Sequence, residues 1–186
     1  MAIQKWQALS REHVADMRVF DVTRHVLRNP RNGMDRQIAR IETRDWVNVV
    51  AVTDDRDVVL VRQWRHGTEH ETLEIPGGLI DDGEDPRDAA VRELREETGY
   101  TGTTVSGLGV VEPNPAILDN RCFTFLVEGC RRTDDLALDD GEDIEVETLP
   151  LGEIALAVGR GDIDHSLVVC GFWWLALKRP DLLKLG

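Results

Sequence analysis

The chain has 186 residues, of which 41% are hydrophobic, and its 22 basic and 35 acidic side chains give a formal net charge of −13. This length predicts one domain, or one domain with an extension, and the apolar fraction is ample for a core. A surface this acidic repels nucleic acid and anionic membranes, so neither is expected as a partner, although a metal ion or local arginines can still attract a small anionic substrate.

Targeting signals and disulfides are not expected either. The first residues lack the long apolar core of a signal peptide, and no stretch has the apolar length of a transmembrane helix. The three cysteines form no C-x-x-C pair. These features predict reduced thiols in a cytoplasmic protein and argue against a zinc site.

The N-terminal part of the sequence predicts a β-hairpin. Apolar and polar residues roughly alternate over 17–28, the turn-forming sequence NPRNG follows, and a second alternating run covers 36–43. A two-stranded ribbon is too small to form its own core, so it must pack on another surface. The expected organisation is a β-arm over 1–45 and a main domain over 46–186.

The main domain begins with strands and then a helix. Three apolar runs predict strands, and they cover residues 46–53, 58–65 and 72–76. A glycine-rich loop then leads to a helix at about 86–98. Asp85 suits the N-cap of this helix, Pro86 its first position and Gly99 its C-terminal end.

Two more strands are predicted on either side of the loop PNPAILDN, followed by an acidic loop and another strand. Two helices complete the pattern, and the second has Asp164 or Ser166 as its expected cap and Pro180 beyond its end. His165 is expected to cap or pack against this helix rather than to bind a ligand.

Three carboxylates are predicted to share one face of the 86–98 helix, because Glu93, Glu96 and Glu97 lie at positions i, i+3 and i+4. Like charges at this spacing destabilise a helix by about 0.2–0.5 kcal/mol per pair. A bound cation would remove that cost, and Mg²⁺ takes a few carboxylates together with waters and substrate phosphates. Arg92 lies one turn before Glu96 and can hold it in place. The alternative interpretation is a solvated, charged helix face.

The wider pattern favours the metal site. The spacing G-x5-E-x7-R-E-L-x-E-E-x-G-Y runs from Gly78 to Tyr100 and resembles the Nudix box, with every specified position filled. The resemblance implies an α/β (α+β) fold in which a mixed β-sheet is sandwiched between helices and the box forms a loop–helix–loop. It also implies hydrolysis of a phosphoanhydride in a nucleoside diphosphate linked to another group, with Mg²⁺ or Mn²⁺ as the cofactor.

The resemblance also assigns roles within the box. The implied metal ligands are Glu93, Glu96, Glu97 and the carbonyl of Gly77. Glu84 is expected to pair with Arg92 rather than act directly, and Arg92 and Glu97 count as catalytic residues. A metal at this place would neutralise a pyrophosphate, activate a water and stabilise in-line displacement at phosphorus.

The segments VRQWRHG, TLEIPGGLID and EPNPAILDNR resemble one branch of the family, the ADP-ribose and nucleoside diphosphate sugar pyrophosphatases. In that branch a proline lies beyond the box glycine, at a spacing that Pro115 matches. The predicted substrate-binding residues are Arg65, Glu74, Pro115, Arg121 and Trp46. The planar guanidinium of Arg65 is suited to grip two diphosphate oxygens. Glu74 is expected as an accessory metal ligand or a supporting carboxylate, and Trp46 either stacks on adenine or belongs to the core or an interface.

The acidic loop DDGEDIE is expected to supply the general base. Glu142 is the predicted base, with Glu145 and Asp140 as alternatives. The favoured substrate is ADP-ribose, and the N-terminal arm is expected to form a homodimer, as in the resembled branch. The alternatives are a nucleoside triphosphate or dinucleotide pyrophosphohydrolase and a nucleotide-sensing module that does not cleave its ligand.

Overall fold

The structure is a computed structural model that describes residues 2–138, 141 and 143–183 and divides them into two compact units. The first unit comprises residues 2–44 together with Glu112–Arg121. The second comprises Asp45–Val111 and the described residues from Cys122 onward. The loop that contains Pro115 thus belongs to the same unit as the N-terminal strands, although it is distant from them in sequence. The expected division of the chain at residue 45 assigned this loop to the main domain.

The first unit contains a three-stranded antiparallel sheet in the order β1–β2–β3. The strands are β1 (Gln7–Asp16), β2 (Asp21–Arg28) and β3 (Asp35–Glu42). The predicted hairpin is present as β2–β3, and Gly33 supplies the positive φ of 70° that its turn requires. Strand β1 was not predicted. It is exposed along almost its whole length, so its sequence carries no steady alternation of buried and exposed residues.

The second unit contains a seven-stranded mixed sheet in the order β10–β5–β4–β9–β7, with β6 paired to β5 and β8 paired to β9. Its strands are β4 (Trp46–Thr53), β5 (Asp57–Arg65), β6 (His70–Glu74), β7 (Tyr100–Thr101), β8 (Thr104–Val111), β9 (Cys122–Arg132) and β10 (Ile144–Pro150). Strands β4 and β9 are parallel, and the other pairs are antiparallel.

The helices of the second unit are α1 (Pro86–Thr98), α2 (Ile154–Arg160), α3 (Ser166–Lys178) and α4 (Pro180–Leu183). Strand β4 shows how they are arranged. Val47, Val49 and Ala51 pack in one apolar cluster with residues of α1, whereas Val50 and Val52 pack in another with residues of α2 and α3. The sheet therefore lies between helices, as predicted. None of the described helices is long and apolar enough to cross a membrane.

The ends of the helices follow the sequence signals at α1 but not at α3. Asp85 accepts a hydrogen bond from the backbone N–H of Arg87 at 2.9 Å, and Gly99 ends α1 with φ of 71°. At α3 the expectation of Asp164 or Ser166 as the cap was wrong, because the cap position belongs to His165, which was expected to cap or pack against this helix, although its side chain makes no capping hydrogen bond. His165 is the last residue with an extended backbone before the helix begins. Because Asp164, His165 and Ser166 are all polar, the sequence does not show which of them takes the cap position.

Candidate active site

Arg92 organises the charged residues of the box. Its Nε and Nη2 donate to the two carboxylate oxygens of Glu84, both at 2.9 Å, and Nη2 also donates to the carbonyl of Leu79 at 3.0 Å. Its Nη1 donates to Glu93 at 2.8 Å and to Glu96 at 3.2 Å. The predicted pairing with Glu84 is therefore present. The hydrogen bonds from Arg92 lower the pKa of Glu84 to about 2, although burial acts in the opposite direction.

Two glycines bring the backbone against the other box carboxylates. Glu97 is only 4% exposed and accepts a hydrogen bond from the N–H of Gly77 at 2.9 Å. Glu93 is 8% exposed, and a Cβ at Gly78 would lie 2.5 Å from its Oε1. Any larger residue at position 78 would displace that carboxylate. Gly78 is thus required by the close approach of the loop to α1, and Gly77 by its close approach to β4, where a Cβ would clash with the carbonyl oxygen of Val47.

The donor set of the box fits a hard divalent ion. Carboxylates on one helix face beside a backbone carbonyl are the oxygen ligands that Mg²⁺ and Mn²⁺ take. Within residues 2–138, 141 and 143–183, no three His, Cys, Asp or Glu side chains converge as a ready metal cluster. Each of the three carboxylates already accepts a hydrogen bond, Glu93 and Glu96 from Arg92 and Glu97 from the N–H of Gly77.

A cavity of about 640 Å³ opens at these glycines. Its lining includes four of the predicted site residues, which are Trp46, Arg65, Glu74 and Gly77. Its volume falls within the range of roughly 300–1,000 Å³ that is usual for small-molecule sites. Gly77 and Gly78 both line the cavity, and Glu97 and Glu93, which approach these two glycines, lie next to the lining rather than in it.

Arg65 and Glu74 form a bidentate ion pair inside the cavity. The Nε and Nη2 of Arg65 donate to the two oxygens of Glu74 at 2.6 and 2.7 Å, and the hydroxyl of Thr72 donates to Glu74 at 2.6 Å. Burial raises the pKa of Glu74, but the hydrogen bonds from Arg65 and Thr72 outweigh it and leave that pKa below its usual value. Glu74 therefore stays ionised and fixes the orientation of the Arg65 guanidinium, which is 42% exposed.

One wall of the cavity is a continuous extended segment. Beyond Glu74 the chain leaves β5 and runs along β4, where the carbonyls of Pro76 and Gly78 accept hydrogen bonds from β4 at 2.8 and 2.9 Å. Leu79 then pairs with Trp46. The lining residues consequently follow one another along the wall, with Trp46 at one end, the glycines and Glu74 in the middle, and the start of β6 at the other end.

The opposite wall was not predicted. It consists of the residues at the start of α3, which are Asp164, His165, Ser166 and Leu167. His165 Nδ1 is buried, has no hydrogen-bond partner among the described residues and lies 3.9 Å from Glu74 Oε2. Asn48, on β4, also lines the cavity and was not predicted. The polar run that starts α3 was interpreted only as a cap, since nothing in its sequence indicates which cavity it faces.

The remaining predicted residues lie elsewhere. Pro115 and Arg121 belong to the first unit and are exposed, and Pro115 lies in a turn in which Ile117 N–H donates to Asn114 at 3.1 Å. Glu142 and Asp140, two of the three candidates for the general base, fall outside the described residues.

Glu145, the third candidate, lies on β10 opposite Arg62 of β5 and is exposed.

Comparisons with known proteins agree with this arrangement. Residues 42–169 match the model of the NUDIX domain family. The chain is 32% identical over 133 residues to a methanol dehydrogenase activator of Bacillus methanolicus, covering 71% of this chain and 72% of that protein. It is 30% identical over 174 residues to an ADP-ribose pyrophosphatase of Mycobacterium tuberculosis, covering 92% of this chain and 83% of that protein.

The fold comparison extends over nearly the whole chain. A crystal structure of an ADP compounds hydrolase superposes with a TM-score of 0.85 and 27% sequence identity, covering 95% of each chain. The domain match covers well over half of the sequence and includes the loop, α1 and the cavity residues described above. The chain therefore belongs to the Nudix family.

Proposed function

We propose that the protein hydrolyses the diphosphate bond of nucleoside diphosphate sugars, with ADP-ribose as the favoured substrate and AMP and ribose 5-phosphate as its products. The observation that carries this proposal is the cavity itself, in which the Arg65 guanidinium and the two glycines beside the box carboxylates share one wall. A fork for diphosphate oxygens thus adjoins the carboxylates. The names of the relatives support the same substrate class, since one is an ADP-ribose pyrophosphatase and the solved structure is an ADP compounds hydrolase.

The cofactor is proposed to be Mg²⁺, with Mn²⁺ as a substitute. The residues that would hold it are Glu93, Glu96, Glu97 and the carbonyl of Gly77. When bound, such an ion neutralises diphosphate charge and lowers the pKa of a water ligand.

Side chains of the protein would perform the remaining steps. Arg65 binds the diphosphate through paired N–H donors, and Glu74 keeps that fork in place. Arg92 positions Glu93 and Glu96. Glu142 accepts a proton from the water that attacks one phosphorus, and the bond from that phosphorus to the bridging oxygen breaks. The other phosphate leaves with the bridging oxygen, so each product is a monophosphate.

A competition experiment tests this function. ADP-ribose, ADP-glucose, GDP-mannose, a diadenosine polyphosphate and dGTP are supplied at equal concentration with Mg²⁺, and kcat/KM is compared. ADP-ribose is expected to rank among the best. A tenfold preference for dGTP or the diadenosine compound, about 1.4 kcal/mol in transition-state binding, would overturn the branch assignment. Binding of all five compounds without hydrolysis in Mg²⁺ or Mn²⁺ would instead support a nucleotide-sensing module.

We also propose a homodimer formed through the first unit. Strand β1 is an edge strand, and Leu9 and Val14 on it are 39% and 46% exposed. An exposed edge with apolar side chains is a surface that pairs with another chain. Light scattering at micromolar concentration should give twice the chain mass, and a fully active monomer would contradict the proposal. The three free cysteines agree with a cytoplasmic location, and the net charge of −13 with the lack of nucleic acid or membrane partners.

A further inference from the structure

Two side chains face each other across the end of the cavity that is farthest from Trp46. His70, at the start of β6, and Asp164, just before α3, both line the cavity. The distance from His70 Nε2 to Asp164 Oδ2 is 3.8 Å, which is too long for a hydrogen bond. Both side chains are about half exposed, so a ligand in the cavity can reach them.

The second ring nitrogen of His70 determines what this pair offers to a ligand. His70 Nδ1 lies 3.2 Å from the carbonyl oxygen of Thr68. A carbonyl oxygen only accepts, so Nδ1 must carry the proton, and Nε2 of the neutral ring presents a lone pair. Asp164 makes no hydrogen bond with the other described residues, and its carboxylate oxygens also accept. The pair therefore consists of two acceptors that face one gap and require donors from the cavity contents.

The register of β5 and β6 places this pair beside the proposed diphosphate site. His70 is directly opposite Arg65 in the antiparallel ladder. Opposed residues point to the same face, with Cβ atoms about 4.5–5.5 Å apart. His70, Thr72 and Glu74 alternate along β6 and all line the cavity. The acceptor pair thus adjoins the guanidinium on the side away from Trp46.

We propose that His70 and Asp164 bind vicinal hydroxyl groups of the sugar that follows the diphosphate, an inference that rests on the proposed function. Neighbouring hydroxyls on a sugar ring offer two O–H donors, one for Nε2 and one for the carboxylate. A further phosphate at this place would offer only anionic acceptors, which Asp164 repels. The pair therefore selects a diphosphate that ends in a sugar against a triphosphate, by attraction of one ligand and repulsion of the other.

The test compares two substrates that differ only in the sugar, at pH 8, above the range in which imidazoles ordinarily gain a proton. They are ADP-ribose and the β-methyl ester of ADP, which keeps the substituted diphosphate but lacks the vicinal hydroxyls. For Asp164→Ala, kcat/KM with ADP-ribose should fall about tenfold or more, as expected when a hydrogen bond to a charged group is lost. The change should appear mainly in KM, and the methyl ester should be cleaved at close to the parental rate constant.

Two further sets of variants complete the design. His70→Leu should reproduce the selective loss, and His70→Gln, which keeps a polar atom near the place of Nε2, should restore part of it. Asp162→Ala is the matched control. Asp162 lies in the same connection between α2 and α3, is also about half exposed and pairs with Arg160 outside the cavity lining. It should leave both substrates unaffected.

The outcomes separate this inference from the function on which it rests. If the parent protein cleaves neither compound, the proposed function fails and the inference falls with it. If the parent is active but Asp164→Ala lowers kcat/KM equally for both substrates, or for neither, the inference alone is wrong. Should Asp164→Ala fail to fold by circular dichroism, Asp164→Leu is judged by the same criterion, because it removes both acceptor oxygens and keeps nearly the same side-chain shape.

Discussion

Replacing Arg92 by lysine should destabilise the fold although it keeps the positive charge. Arg92 makes five hydrogen bonds, to three carboxylates and one carbonyl, from a planar fork. An ammonium group has three donors and a different shape, so at least two of these bonds are lost. At a net contribution of about 1 kcal/mol for each bond, the free energy of unfolding should fall by about 2 kcal/mol.

Urea unfolding followed by circular dichroism measures this change. Arg87→Lys is the matched control, because Arg87 lies exposed on the first turn of α1 and its side chain pairs with no carboxylate among the described residues. The control should unfold like the parent. An Arg92→Lys protein within about 0.5 kcal/mol of the parent, the usual scatter of surface substitutions, would refute the idea that the fork organises the box.

The pH dependence of this loss in the free energy of unfolding gives a second check. The pKa of Glu84 falls from 4.5 to about 2 chiefly because Arg92 donates to it, with burial acting in the opposite direction. For a carboxyl whose folded-state pKa is depressed, the stabilisation is complete above the ordinary pKa and is lost as pH falls through the folded value. The difference in the free energy of unfolding between the parent and Arg92→Lys should stay constant from pH 7 to pH 5.5 and shrink below about pH 4.5.

Three further substitutions test the chemistry of the site. Glu97→Gln should fold normally but lower turnover by roughly two orders of magnitude or more, so near-parental activity in saturating Mg²⁺ would remove Glu97 from the metal ligands. Glu142→Gln should lower kcat with little change in KM, and a silent Glu142→Gln beside an inactive Glu145→Gln would move the base along the loop. Gly78→Ala should reduce activity because its Cβ would displace the Glu93 carboxylate, and steady-state assays that find no loss would contradict that contact.

The features that were predictable from the sequence are the local ones. Helix α1 has its cap, its first proline and its terminal glycine within a few residues of the turns they shape, and the structure places Asp85, Pro86 and Gly99 in those roles. Glu84 and Arg92 are also close in sequence, and their pairing was correctly predicted. Strand β1 was missed for the converse reason, because an exposed strand leaves no periodic pattern in its residues.

The features that could not be predicted depend on strand register and on contacts between distant segments. Arg65 was predicted to bind a diphosphate and Glu74 to support a metal, but neither assignment indicated that they form one ion pair. Their contact follows from the register of β5 with β6, which a sequence does not specify at single-residue precision. The wall that begins at Asp164 lies still farther along the chain and reaches the cavity only because α3 packs on the sheet.

This division between local and distant contacts also separates chemistry from specificity. The proposed metal ligands lie within a single helix and its preceding loop, so a short motif is sufficient to predict this part of the chemistry, whereas the proposed base Glu142 lies in a separate loop. Under the proposed function, substrate choice depends on other residues of the cavity, namely the guanidinium of Arg65 on β5 and the acceptor pair His70 and Asp164. These residues come from three elements that meet only in the folded chain. A relative that keeps the box but replaces Asp164 by an arginine or lysine should therefore retain hydrolysis while shifting its preference towards ligands that extend the phosphate chain.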